Sequence, residues 1–543
     1  MKINTKIITI TASVALCATA CTDLSETVYS IIPADDFGKT EEQAFSIVFS
    51  AYSGLRGATY DGARGYAGGE YIYYMGALAA DEAILPACNE GKDWLDGYRY
   101  MELLFHDFAP GSEATTGAWR YCYQNIANIN AIMSQTIAPL DIDSTAKKRI
   151  NAEMRALRAY YYFRLIDWFG NVPIVKSFND TTLPTNAPRA EVFQYAVSEL
   201  EDAIAYLPIN GYGRMTRNAG LCLLSRFYLN GYVFTKTDYD GETNNYGNDP
   251  DGYYAKAVAA CDSVSNIILE PNYFTNFLER NEVSNEILFC VVYDRTNDGT
   301  GAWGNWHVTH TSDEYMKYLV SNTGTTDGYG TGTIRVKPGV YASFEAADKR
   351  REAVRVGVQY KPNGDPIELT YSDSRGEHKN VMLNFIDEIQ DIIDVYRLEG
   401  AHWMKYELVD DPSESQYTSN HDLVLMRYAE ILLNRAEALI RLGRSGEASN
   451  DVQRIRSRAG LGAPASLTLA AIELERRHEF CFEDMRRTDM IRFGSFTKLA
   501  WLDSRWSKQV TERQPKYGKY TTLYPIPSLE MAKNPLLQQN EGY

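Results

Sequence analysis

The chain has 543 residues, of which 45% are hydrophobic, and a formal net charge of −17. That length gives room for two or three domains or one continuous helical-repeat body, with enough apolar side chain to bury a large core. A balance this acidic, with no basic run to offset it, excludes a nucleic-acid partner, because phosphate-backbone binding is driven by Lys and Arg displacing counterions.

The first element is an N-terminal export segment over residues 1–20. Lys2 and Lys6 precede an apolar run from Ile7 to Ala18, and Ala18-Thr19-Ala20 leads into Cys21. A basic start, a short apolar stretch and small residues before a cleavage point describe a secretory signal. The run falls short of the roughly 20 apolar residues that cross a hydrocarbon core. With cysteine next, the order resembles the lipobox of bacterial lipoproteins, in which that cysteine becomes the acylated mature N-terminus. It departs from the pattern at Ala18, where leucine is usual. An ordinary cleaved signal is the other reading. Several acyl chains on Cys21 would give a stable anchor, with Thr22 to Tyr29 as a short leash.

Helical periodicity then appears in order along the chain. Ile150, Met154, Leu157, Tyr161, Leu165 and Trp168 step by three or four onto one face, and Gly170 and Pro173 stop that helix. Glu191–Leu207 and Leu221–Phe234 form a helix hairpin broken by Pro208, Gly211 and Gly213. Later, Ala429, Leu432, Ala436 and Leu439 make one stripe, Gly443 closes it, and Ala448, Val452, Ile455 and Ala459 make the next. Pairs of about 34 residues per unit predict a mainly α fold of tetratricopeptide-like repeats, which bury their apolar faces only by stacking.

Two zones lack this periodicity: Gly57–Gly76, rich in Gly and Tyr, and roughly 293–420, where Gly324–Thr333 is nearly all Gly, Thr, Asp and Tyr. Both read as loops and short strands, and long loops in a compact body are where function concentrates. The internal cysteines (Cys88, Cys122, Cys222, Cys261, Cys290, Cys481) are widely spread with no CxxC pair. Export permits disulfides, yet Cys122, Cys222 and Cys290 have apolar neighbours, so buried free thiols are expected. Neither they nor the seven scattered histidines are spaced as metal ligands.

Several segments together resemble the SusD/RagB family of outer-membrane nutrient-binding lipoproteins: Trp119–Tyr123 with Asn125, Ile126 and Asn130; Ala152–Val175; Arg427–Gly443; Arg454–Leu461; Ile472–Gly494; and the ending from Tyr524. Glu541 departs from the family, which usually has proline before the closing Gly-Tyr. The resemblance covers nearly all of the mature chain. It implies a single body over 21–543, with four helix pairs and an irregular ligand-binding region. Most repeat helices fall in an N-terminal part, 21–290, whereas 291–543 holds the irregular region 293–420 and the last repeat, 423–461. It also implies a lipid anchor in the outer membrane at the cell surface, capture of oligo- or polysaccharide, and a SusC-like TonB-dependent transporter as partner. Some members bind peptides instead. By their own physics, the charges Glu473, Glu475, Arg476, Arg477, Glu479, Glu483, Asp484, Arg486 and Arg487 alternate along one helix and predict ion pairs within and between repeats. Arg155, Arg158 and Arg164 are expected to brace neighbouring helices.

Sugar recognition needs flat apolar faces for the rings and polar groups for the hydroxyls. In the irregular zones Trp303 and Trp306 flank Asn305, and Trp94 stands between Asp93 and Asp96. Tyr66, Tyr71 and Tyr73 alternate in the glycine-rich zone, with Arg64 and Asp81 as polar partners; packing beneath the loops is their alternative role. Trp168, on a helix stripe, is expected in the core. In the run from Asp238, the residues Asp238, Asp240 and Gly241 match part of a calcium loop. The twelfth position, however, is Asp249 rather than glutamate, so a solvated connecting loop is the default and no cofactor is expected. No Gly-x-Ser-x-Gly elbow, HExxH helix or phosphate loop is present, which argues against an enzyme, including a glycoside hydrolase.

Overall fold

The computed structural model describes residues 46, 49–57, 72–86, 100–294, 334–360, 363–373, 376–393, 395, 398–407, 420–498, 502–503, 505–509 and 515–543. Nine helices carry the body: α1 (Glu113–Ala131), α2 (Ser144–Phe169), α3 (Arg189–Ile204), α4 (Arg217–Leu229), α5 (Tyr253–Asp262), α6 (Tyr428–Arg441), α7 (Ser445–Arg458), α8 (Leu469–Glu479) and α9 (Arg486–Phe493). Consecutive pairs α1–α2, α3–α4, α6–α7 and α8–α9 pack together, and α5 sits between α4 and α6. The fold is mainly α, as the periodicity predicts.

Side-chain caps explain where these helices begin. The Asp143 carboxylate accepts from the Thr145 and Ala146 amides at the start of α2, and Ser112, Thr216 and Thr468 cap α1, α4 and α8 in the same way. Gly170, at φ 71°, ends α2 where a side chain would be strained. The one-face stripe predicted for α2 understates its burial. From Ala156 to Gly170 every residue is buried, Trp168 among them, because neighbours cover it from all sides. The second helix of the predicted hairpin is interrupted: α4 stops at Leu229, and a separate turn covers Gly231–Thr235. A Cβ on Gly231 would meet the Tyr253 ring at 2.6 Å, so the close approach of α5 requires glycine there.

The chain leaves the helical stack after α5 and returns to it at α6. The excursion is closed at its base by an antiparallel ladder between β2 (Ile287–Val291) and β10 (Leu423–Arg427), with Leu423 opposite Val291 and Arg427 opposite Ile287. Together with helical turns at Val340–Ser343 and Lys349–Ala353, the described part of 293–420 holds the expected loops and short strands: β3 (Arg335–Val336), β4 (Val354–Arg355), β5 (Gly357–Val358), the hairpin β6 (Glu368–Asp373) with β7 (Gly376–Met382), β8 (Asn384–Phe385) and β9 (His402–Trp403). One apolar cluster runs from Ala51 to Leu537 through all the helices. Cys122, Cys222, Cys261, Cys290 and Cys481 are buried free thiols, and burial pushes each of them up and so keeps it protonated; Cys88 lies outside the described residues.

The alternating charges of 473–487 do not lie on one helix, as the sequence suggests. α8 ends at Glu479, and a tight turn with left-handed Phe482 (φ 57°) and Asp484 (φ 64°) precedes α9. That turn aims the carboxylates into the protein. Glu483 bonds Arg427 and Lys405, and Asp484 pairs with Arg164 of α2. Glu479 binds Arg350, Arg427 and Arg458 at once, so the expected ion pairs are present but buried and between elements. Arg155 and Arg158 brace α3 through Glu199.

Two histidines make this interior acid-sensitive. His106 bonds the Ala79 carbonyl at 2.8 Å and stacks on Phe496, while His478 stacks on Phe344 and faces Arg350, Arg477, Arg456 and Arg486. Burial, helped by these cations and by Lys337 and Arg487 near His106, pulls each down to about 3. At these two sites the unfolded chain binds more protons than the folded one between about pH 6.5 and 3, whereas at Glu82, Asp484, Asp422 and Asp387, which burial raises to about 8, 7, 6 and 6, the folded chain binds more. The histidine contribution is full above that window and is lost as pH falls through it, against the gain from the raised carboxyls; urea midpoints measured from pH 8 to pH 4 should therefore fall less, or rise more, in His478→Gln than in the unaltered chain.

Candidate functional site

β1 (Ala83–Ile84) and β3 pair antiparallel, with Ala83 opposite Val336 and Ile84 opposite Arg335. Val336 also bridges Ala401, just before β9, and β9 pairs with β4. From Ile84 the chain runs towards the segment that carries Trp94. Into Ile334 and Arg335 comes the segment that carries Trp303, Asn305 and Trp306. Because the two strands are antiparallel, the chain leaves β1 for residues 87–99 and returns to β3 from residues 295–333 at the same end of this ladder. Those four residues, with Arg64, Tyr66, Tyr71 and Cys21, lie outside the described residues.

The ground under that edge is apolar. Ile84, Met101, Leu104, Phe105, Ile389, Ile392, Val395 and Trp506 form a second buried cluster, and the Trp506 indole donates to the Ile389 carbonyl at 3.2 Å. Arg335 donates from Nε to the Glu399 carbonyl at 2.9 Å, which ties β3 to the approach to β9.

Two candidates do not face a ligand. Tyr73 is 1% exposed and packs against Phe482 at 5.5 Å; Ile72–Leu78 is a buried helical segment with a π turn rather than part of a loop. Gly76 makes this possible, since a Cβ there would lie 3.2 Å from the Asp484 Cα and closer still to its carboxylate. Asp81 is held by Arg486, Nε to Oδ1 at 2.6 Å and Nη2 to Oδ2 at 3.0 Å, with Arg477 beside it. Burial opposes its ionisation, but the two guanidiniums prevail and bring the carboxyl to about 2. It is a structural ion pair beneath β1. Next to it, Glu82 is fully buried, and burial together with the Asp81 charge pushes it up to about 8, so it stays protonated at neutral pH. Lys337 donates to the Ala80 carbonyl, and burial holds its amine well below the ordinary lysine value.

The calcium-like run satisfies its own oxygens. Asp240 accepts from the amides of Glu242, Thr243 and Asn244 and from the Thr243 hydroxyl, and Asp238 accepts from the Asn244 amide and the Tyr246 hydroxyl at 2.6 Å. Gly241, at φ 81°, packs against Gly494 at the end of α9, where a Cβ would lie 2.7 Å from the Gly494 Cα. The Asp-Gly signature here is a turn that docks the loop on α9. Among the described residues no group of three or more His, Cys, Asp or Glu is placed to hold a metal. Sequence reasoning missed the pairing of β1 with β3, because two-residue strands carry no periodicity.

Comparison with known proteins places this architecture. A family model described as "SusD family" matches residues 234–543, and one described as "Starch-binding associating with outer membrane" matches residues 85–229. The chain belongs to the SusD family. It is 26% identical over 506 residues to the starch-binding protein SusD of Bacteroides thetaiotaomicron, covering 88% of this chain and 86% of that protein. It is 23% identical over 550 residues to SusD-like protein P2 of Formosa agariphila, covering 96% and 97%. Among solved structures, the fold is shared with surface glycan-binding protein A from Bacteroides thetaiotaomicron in complex with laminarihexaose, at a TM-score of 0.68, 21% identity and coverage of 92% and 99%. A laminarin-binding SusD-like protein superposes with a TM-score of 0.66 at 20% identity, covering 93% and 100%.

Proposed function

We propose that the chain is a cell-surface glycan-binding lipoprotein, which captures oligo- or polysaccharide and passes it to a SusC-like TonB-dependent transporter in the outer membrane. The observation that carries this reading is the match along nearly the whole chain to a starch-binding SusD-family protein. The shared edge of β1 and β3 supports it, because it offers one place where Trp94, Trp303 and Trp306 can serve a common ligand. Cys21 supplies the anchor, and the acidic chain has no use for nucleic acid. The role is binding without cleavage: the charged turn between α8 and α9 that could suggest acid–base chemistry has its carboxylates committed to guanidiniums and Lys405.

Capture for delivery calls for micromolar to millimolar affinity, about −8 to −4 kcal/mol, so that cargo can be released. The chain from Thr22 onward, applied to an array of α-glucans, β-1,3-glucans and peptides, should retain a glycan in that range. It should release no reducing ends from that glycan on prolonged incubation. Retention of peptides alone, or of nothing, would overturn the reading.

A further inference from the structure

A cleft of about 610 Å³ opens between the N-terminal turns of α2 and the loop joining α3 to α4. That volume suits a short oligosaccharide or a comparable small molecule. Arg149, Glu153, Tyr206, Asn210, Arg214 and Arg217 line it, with Ile209 at its lip. Tyr206 is 42% exposed and Ile209 69%, so both present apolar surface at the cleft. The Lys148 amine stands 5.7 Å from the centre of the Tyr206 ring, which adds a further cation at the rim.

Charge decides what the cleft would take. Among the described residues Glu153 is the one acidic residue that lines it, and it is 1% exposed, bonded by Arg214 and by the Tyr52 hydroxyl, so its charge is compensated at the back wall. Arg217 is exposed, its amide donates to the Pro208 carbonyl at 2.8 Å, and among the described residues its guanidinium has no hydrogen-bond or ion-pair partner. In a chain of net charge −17, a concave surface lined by arginines runs against the overall field and calls for a local cause. An aromatic face for a sugar ring, an amide at Asn210 for hydroxyls and a fork-shaped guanidinium for a planar anion stand together.

We propose that this cleft is a second saccharide site, specific for a sugar that carries an anionic group, either a uronate carboxylate or a sulfate ester. It goes beyond the capture function proposed above and does not depend on it. The residues that line the cleft come from α2, α4 and the α3–α4 loop, and none of them belongs to the β1–β3 edge, so different substitutions alter the two sites. The two sites can therefore be tested separately.

The test is calorimetry with tetragalacturonate, a sulfated tetrasaccharide and neutral laminarihexaose against three proteins: the unaltered chain, Tyr206→Ala with Arg217→Ala, and Trp303→Ala with Trp306→Ala. At least one acidic sugar should bind the unaltered chain and lose about tenfold or more in affinity in the Tyr206/Arg217 variant. The tryptophan variant should bind it unchanged, and which acidic sugar binds identifies the anion. Both altered side chains in the cleft are exposed, so an unchanged urea midpoint will show that the variant is folded. Three results would overturn the proposal: neither acidic sugar binds, the cleft variant binds it equally well, or inorganic sulfate at matched concentration displaces it completely.

Discussion

Glu479→Ala is expected to abolish cooperative folding of the chain at 37 °C, or to lower its urea midpoint by the equivalent of about 4 kcal/mol or more. Glu479 is fully buried and accepts from Arg350, Arg427 and Arg458. Burial alone would oppose its ionisation, yet these guanidiniums outweigh burial and hold the carboxyl well below the usual carboxylate range. Alanine would leave three guanidiniums facing one another around a void, with Glu286, Asp348, Glu475 and Glu483 left to share their charge. Removing one partner of a buried pair costs far more than the pair contributes, because the remaining charge stays desolvated. Glu479→Gln keeps the shape and one acceptor and should fall between the two. As a contrast, Lys498→Ala removes an ion pair to Glu242 whose side chains are both about half exposed, and it should move the midpoint by less than about 1 kcal/mol. Circular dichroism across a urea series would measure all three; equal midpoints for Glu479→Ala and Lys498→Ala would mean that the network carries no stability.

The same network shows what could be read from residues alone and what could not. Helix positions were legible because period and punctuation agree: the stripe from Ile150, stopped at Gly170, is α2, and the alanine-rich stripes around Gly443 are α6 and α7. The alternating charges of 473–487 also announced ion pairs. Their partners were not legible, since Glu479 meets Arg350 and Arg427, and Asp484 meets Arg164, across separations of 52 to 320 residues. The break between α8 and α9 escaped notice because it is made by Phe482 and Asp484 in left-handed conformation, without the glycine or proline that marks such a turn. At the candidate site the same limits hold. Tyr73 and Asp81 have the right residue types, but the π turn at Tyr74–Leu78 and the guanidinium of Arg486 place them inside. Residue type tells what a side chain could contact; burial, set by distant elements, decides whether it reaches solvent.

Replacing Trp303 and Trp306 together by alanine should remove glycan retention altogether. Each indole would cover the C–H face of a pyranose ring, and aromatic contacts of this kind contribute about 0.5–1.5 kcal/mol beyond the area they bury. Starting from a dissociation constant of about 0.1 mM, the middle of the micromolar to millimolar range, losing two such contacts weakens binding by roughly 10- to 100-fold, to millimolar or beyond, where retention on a gel is lost. Affinity electrophoresis in laminarin or starch should therefore show the double variant migrating as it does without glycan, while each single variant retains part of the shift. Trp94→Ala should weaken retention as well, since its segment springs from Ile84, opposite Arg335 on the partner strand. Urea midpoints of the same variants, measured alongside, will separate lost binding from lost folding. An unchanged mobility shift for the Trp303/Trp306 variant would remove both residues from the site. It would also move the search to the other aromatic zone, around Tyr66 and Tyr71.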